Sequence, residues 1–197
     1  MKTNGMMLTG LAATAALFIV TATAKAQERE MYELPALEVT AFQSPLNRQA
    51  MELYETPSRW AEAAELHERA ANVLPKNDAA AFFGFQRAAV LYFYAGESAH
   101  SRKSMERAAE VAEATGDVLT AANAWVDAAF LAIAEGYAGK KREFVRNAEA
   151  LAGSELLSDA DRASIQARIE GSPTTAASAR VAMARRLIEA AELSLTD

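Results

Sequence analysis

Small residues recur along this chain at a spacing that only helices can use. Ala63, His67, Ala70 and Pro75 are separated by 4, 3 and 5 positions, and Ser101, Met105 and Ala108 repeat the 4 and 3 spacing 38 residues further on. Positions three and four apart share one face of an α-helix. Small side chains there let a second helix approach closely, and the larger residue between them fills the gap at the crossing. A period of this length belongs to stacked helix pairs, because one pair cannot bury its apolar face alone. The expectation is an all-α protein of antiparallel helix hairpins closed by C-terminal capping helices. Such a scaffold binds; it rarely catalyses.

The N-terminus has the layout of a secretory signal peptide. Lys2 gives a positive start, Met6 to Ala24 is uncharged and mostly apolar, and Ala24-Lys25-Ala26 is a small-x-small cleavage signal before Gln27. Residues 1–26 are therefore expected to be removed, leaving no stable membrane insertion. The competing reading keeps the run as an anchor; its Thr and Gly residues argue against that. Absence of cysteine excludes a lipid anchor on an N-terminal cysteine, disulfides, Cys-ligated zinc and thiol chemistry. The formal net charge is −6, and removing Lys2 and Lys25 makes it more negative still. An acidic chain of this kind is a poor match for nucleic acid or anionic membrane surfaces.

Residues 27–43 read as a linker, and 44–197 as one helical domain. Ser44 with Pro45, Thr56 with Pro57, and Asp78 are start signals; Pro75, Gly96, Gly116, Gly136 and Gly153 are stops. Ser98 is read as a cap, Asp117 as another, and Ser158 with Asp161 as a capping box. Ser172 and Pro173 are expected to open a last helix to about Leu195. In it Val181, Ala184, Leu187, Ile188 and Ala191 form one apolar stripe. The segment Ala79–Ala95 is apolar nearly all round, which requires packing on two sides or more. No segment alternates with period two, so no sheet is expected.

Three consecutive helix pairs resemble tetratricopeptide repeats, over roughly 44–77, 82–115 and 122–153, with 158–197 as a cap. Ala50, Met51 and Tyr54 sit where that family packs its first helix, and Ala63, His67, Ala70 and Pro75 where it has Ala, an aromatic, Ala and Pro. The second pair offers Ala88, Ala89, Tyr92 and Gly96, then Ser101, Met105 and Ala108; the third offers Trp125, Ala128, Ala129, Ala132 and Gly136, then Val145 and Ala148. Two departures stand out: Lys141 occupies a small-residue site, and successive pairs are spaced by 38 and 40 residues. The resemblance implies a concave binding face lined by first helices. Carried onto this chain, that face is Arg48 and Glu52, then Phe83, Gln86, Val90, Phe93 and Tyr94, then Asn123, Val126, Phe130 and Ile133. The expected binding residues are Phe83, Gln86, Val90, Tyr94, Asn123 and Phe130. A fold-back of the last two helices would instead bury them.

Catalytic patterns fail one by one. His67-Glu68 lacks the second histidine of a zinc-protease helix, because Ala71 stands there. Gly96-x-Ser98-x-His100 lacks the second glycine of a nucleophile elbow and follows a helix, not a strand. His67 is read as a packing residue, and no metal or other cofactor is expected. Lys140, Lys141, Arg142 and Arg146 form a basic patch with Glu143 and Glu149 as i,i+3 partners. The functional expectation is an exported, non-enzymatic module, in the periplasm ahead of the medium, that binds a protein or peptide. The alternative is a small exported accessory or stress protein with a closed core and no groove.

Overall fold

A computed structural model describes residues 44–193, with side chains as far as Arg186. The expected signal peptide, the linker and the last four residues lie outside the described residues. Among the described residues eight helices follow one another: α1 (Pro45–Glu52), α2 (Trp60–Asn72), α3 (Ala79–Tyr94), α4 (Ser98–Thr115), α5 (Val118–Glu135), α6 (Ala138–Ala152), α7 (Asp159–Glu170) and α8 (Ala176–Leu193). A short 3₁₀ turn, Pro57–Arg59, precedes α2. There is no strand among the described residues.

Local chemistry sets most helix boundaries where the sequence places them. Ser44 Oγ accepts from the Asn47 N–H at 3.1 Å, Asp78 Oδ1 from Ala80 at 2.9 Å and Asp117 Oδ1 from Thr120 at 3.0 Å. Ser158 Oγ accepts from the Asp161 N–H at 3.1 Å and donates to Asp161 Oδ2 at 2.6 Å. Each bond from a backbone N–H satisfies one of the donors that a helix start leaves open. Helices α3, α4 and α5 all end in the same way. Gly96, Gly116 and Gly136 adopt φ of +82°, +81° and +85°. The following residue's N–H then returns to the last turn, as from Asp117 to the Ala112 carbonyl at 3.1 Å.

Two starts differ from expectation. Glu97, not Ser98, holds the cap position of α4, and Ser98 is its first helical residue. The last helix begins at Ala176, because Thr175 and Ser178 cap each other's backbone at 3.1 Å while Ser172 and Pro173 stay outside.

Each helix from α1 to α6 packs on the next in the chain, and α7 and α8 also fold back on α5. The observed lengths account for the wide spacing read from the sequence: α3, α4 and α5 have 16, 18 and 18 residues and are joined by short turns. Alanine pairs make the close crossings. Ala63, Ala64, Ala88, Ala89, Ala108, Ala109, Ala121, Ala122, Ala128 and Ala129 are all buried. One apolar core runs from Ala71 through α3 to α6 and on to Leu157, Ile165 and Met183. A second joins α1, α2 and α3 around Leu53, Tyr54, Trp60 and Leu91.

Helix α5 is long and apolar enough to cross a membrane, but 72% of it is buried inside the fold. Its hydrophobicity therefore serves the core, where it is surrounded by α4, α6, α7 and α8. Helices α2 and α3 come close at Gly84: a Cβ added there would stand 2.8 Å from the Ala71 Cβ. Real side chains do not come so near, so Gly84 is what permits this crossing.

Candidate interaction surface

The six residues expected to bind do not form one open stripe. On α3, Phe83, Gln86 and Tyr94 are half-buried, while Val90 is only 9% exposed. Phe83 meets Phe82 edge-on, with centroids 5.3 Å apart, and Tyr94 meets Trp60 at 6.0 Å and Phe93 at 5.5 Å. Burial raises the phenol pKa of Tyr94 above its ordinary value, so it is a neutral hydroxyl at physiological pH. Arg48 and Glu52 on α1 are exposed, which makes that end polar as expected.

On α5 the expected stripe is covered. Phe130 is 7% exposed, and Val126 and Ile133 are buried as well. The cover is the returning C-terminus: Ala179 packs with Ile133 and Ala134, and Met183 enters the main core. A polar clamp holds it. Asp127, in the middle of α5, accepts from Arg168 of α7 at 2.5 Å and from Arg186 of α8 at 2.9 Å, and Arg168 also donates to the Asn123 side chain. Asn123 is thus a clamp residue, and Phe130 a core residue. The clamp also sets the rotation of α8. Ala179, Met183 and Arg186 face α5, whereas Val181, on the stripe expected to pack, is 63% exposed.

The histidines do different things. His67 is 1% exposed and sits between α1 and α2. Its Nδ1 lies 2.8 Å from Asn47 Oδ1, and its Nε2 bonds the Tyr54 hydroxyl. An amide oxygen only accepts, so Nδ1 carries the proton and the bare Nε2 accepts from Tyr54. Burial, and secondarily the charge of Arg87, pushes the His67 pKa down to about 3. This imidazole is a neutral core group. His100 is exposed, lies 3.2 Å from Glu97 and rests against the Tyr92 ring, with centroids 5.1 Å apart.

Ser104 has no imidazole on its hydroxyl: Oγ reaches Glu68 at 2.6 Å and the His100 carbonyl at 3.0 Å. Burial raises the Tyr92 pKa, and the carboxylates of Glu68 and Glu65 raise it further. These groups tie α2, α3 and α4 together, with a carboxylate and not an imidazole on the serine hydroxyl. No group of three or more His, Asp or Glu among the described residues is placed to hold a metal ion.

The basic patch is partly structural. Lys140 bonds Glu143 at 3.0 Å, the partner foreseen, and also Glu106 of α4 at 3.1 Å. Hydrogen bonds to Glu143 and Glu106 raise the Lys140 pKa. Glu106 in turn pairs with Arg102, a buried side chain that also holds Glu135 at 2.6 Å and lies over the Tyr137 ring.

Two features lay beyond the sequence reading. Asp127 carried a signal, a lone charge between Val126 and Ala128 in an apolar helix. A cleft of about 500 Å³ between the end of α2 and the flanks of α3 and α4 carried none, because its walls come from separate elements. No protein-family model matches the chain, and no curated protein or solved structure matches it. The fold itself defines the class: an all-helical protein in which neighbouring helices pack in sequence.

Proposed function

We propose that this chain is an exported, non-enzymatic interaction module of the tetratricopeptide-like kind, which binds a protein or peptide through the surface of its helix pairs. The observation that carries the reading is the half-buried aromatic and amide edge of α3. Phe83, Gln86 and Tyr94 keep exposed surface on a helix whose other faces are committed to α2 and α4. Aromatic groups fixed by neighbours, with a polar side chain between them, suit the recognition of a partner at low entropic cost. The α5 end is not offered to a partner, since α7 and α8 occupy it. The signal-peptide layout read in residues 1–26 supports a location outside the cytoplasm, the periplasm first.

The fold-back of α8 favours a second reading, a small exported accessory protein with a closed core. Photo-crosslinking separates the two. Benzoylphenylalanine in place of Gln86 should give a covalent adduct with a defined envelope protein or peptide, and the same group in place of exposed Lys103 should not. No adduct at 86, or the same adducts at both positions, would contradict the module and leave the closed-core reading.

A further inference from the structure

We propose that the cleft between α2, α3 and α4 is a binding site for a small apolar group bearing a carboxylate. Its apolar wall includes Leu74, Phe85 and Val111, and its polar groups include Lys76, Arg107 and Glu110. A volume of about 500 Å³ lies within the range of roughly 300–1,000 Å³ typical of small-molecule sites. Two cations and one carboxylate make the lining positive, on a chain whose net charge is −6. Arg107 is already positioned: its guanidinium carbon lies 4.8 Å from the Phe85 ring centroid. A guanidinium held over a ring still has N–H donors to offer a carboxylate. Neither Lys76 nor Arg107 forms an ion pair with another described residue, in contrast to Arg102, Lys140, Arg168 and Arg186. The apolar wall takes the tail, and the cations take the head. None of these residues belongs to the α3 edge proposed for a protein partner, so the two sites stand or fall separately.

Titration of the purified protein with octanoate, followed by amide NMR, tests the assignment. Octanoate should move the amides of Ala81, Phe85 and Val111 and saturate with a Kd below about 1 mM. Octylamine should not saturate. Lys76→Ala and Arg107→Ala should each weaken octanoate roughly fivefold or more, since a charge-assisted bond is lost. Glu110→Gln should tighten binding. Ala114→Trp, which fills the cleft from an exposed position, should abolish it with the melting curve unchanged. A short peptide ending in leucine, with a free or an amidated terminus, identifies the source. Tighter binding of octanoate assigns a free acid, and tighter binding of the free-terminus peptide assigns a chain end. Octanoate that fails to saturate, octylamine that binds as well, or cation variants with unchanged affinity would overturn the proposal.

Discussion

His67 shows how one buried group makes the fold sensitive to acid. Unfolded, its imidazole titrates near the ordinary 6.5; folded, it titrates at about 3. Above pH 6.5 both states are neutral and the histidine contributes nothing to pH dependence. As pH falls below 6.5 the unfolded chain takes the proton first. The fold then loses up to about 1.4 kcal/mol per pH unit, until both states are protonated below about pH 3. Urea melts of wild type and His67→Gln between pH 7.5 and 5 should show this. Wild type is expected to lose about 2 kcal/mol more than the variant over that range; equal losses would mean that His67 is not held neutral. That His67 packs at a helix crossing was legible, because it occupies a position between two alanines on one helical face. Its partners were not. Asn47 comes from α1 and Tyr54 from the turn after it, and no spacing rule links them to α2. Phe144 is the converse case. The pattern pointed to Lys141 and Val145, yet Phe144 is fully buried and stacks on Trp125, with centroids 5.3 Å apart. The largest apolar side chain determined how α6 is turned.

Helix starts and stops were legible because they are local. A cap side chain and its N–H lie within three residues of each other, and a glycine with positive φ ends a helix wherever it stands. How a helix is turned is not local. α8 faces α5 with Ala179, Met183 and Arg186 because Asp127 pulls Arg186 in, and that partner is 59 residues away. Gly84 gives the sharpest test at this scale. In an exposed helix, Gly→Ala stabilises by about 1 kcal/mol. Here the added Cβ meets the Ala71 Cβ at 2.8 Å and the His67 carbonyl at 3.3 Å. Gly84→Ala should therefore destabilise by roughly 1–3 kcal/mol, and Ala71→Gly in the same chain should restore part of the loss. Chemical denaturation of the single and double variants checks both. A stabilised Gly84→Ala would mean that α2 and α3 are not in close contact.

For the whole molecule, the all-helical class and the serial packing of helices followed from period and punctuation. The placement of α7 and α8 did not, because two capping helices can extend a stack or fold back over it. The outcome divides the expected binding residues. Phe83, Gln86 and Tyr94 keep surface; Asn123 and Phe130 are taken into the closure of the α5 face. This division is the central claim, and one paired experiment measures it: urea melts and partner capture on Tyr94→Ala and Phe130→Ala, the partner being the protein or peptide crosslinked at position 86. Phe130→Ala should cost roughly 3–5 kcal/mol of stability, as for a buried phenylalanine, and its folded fraction should hold the partner as well as wild type does. Tyr94→Ala should cost clearly less stability and should weaken capture by about 1 kcal/mol or more. The reverse order, a neutral Phe130→Ala that loses the partner and a Tyr94→Ala that unfolds but still binds, would contradict the account.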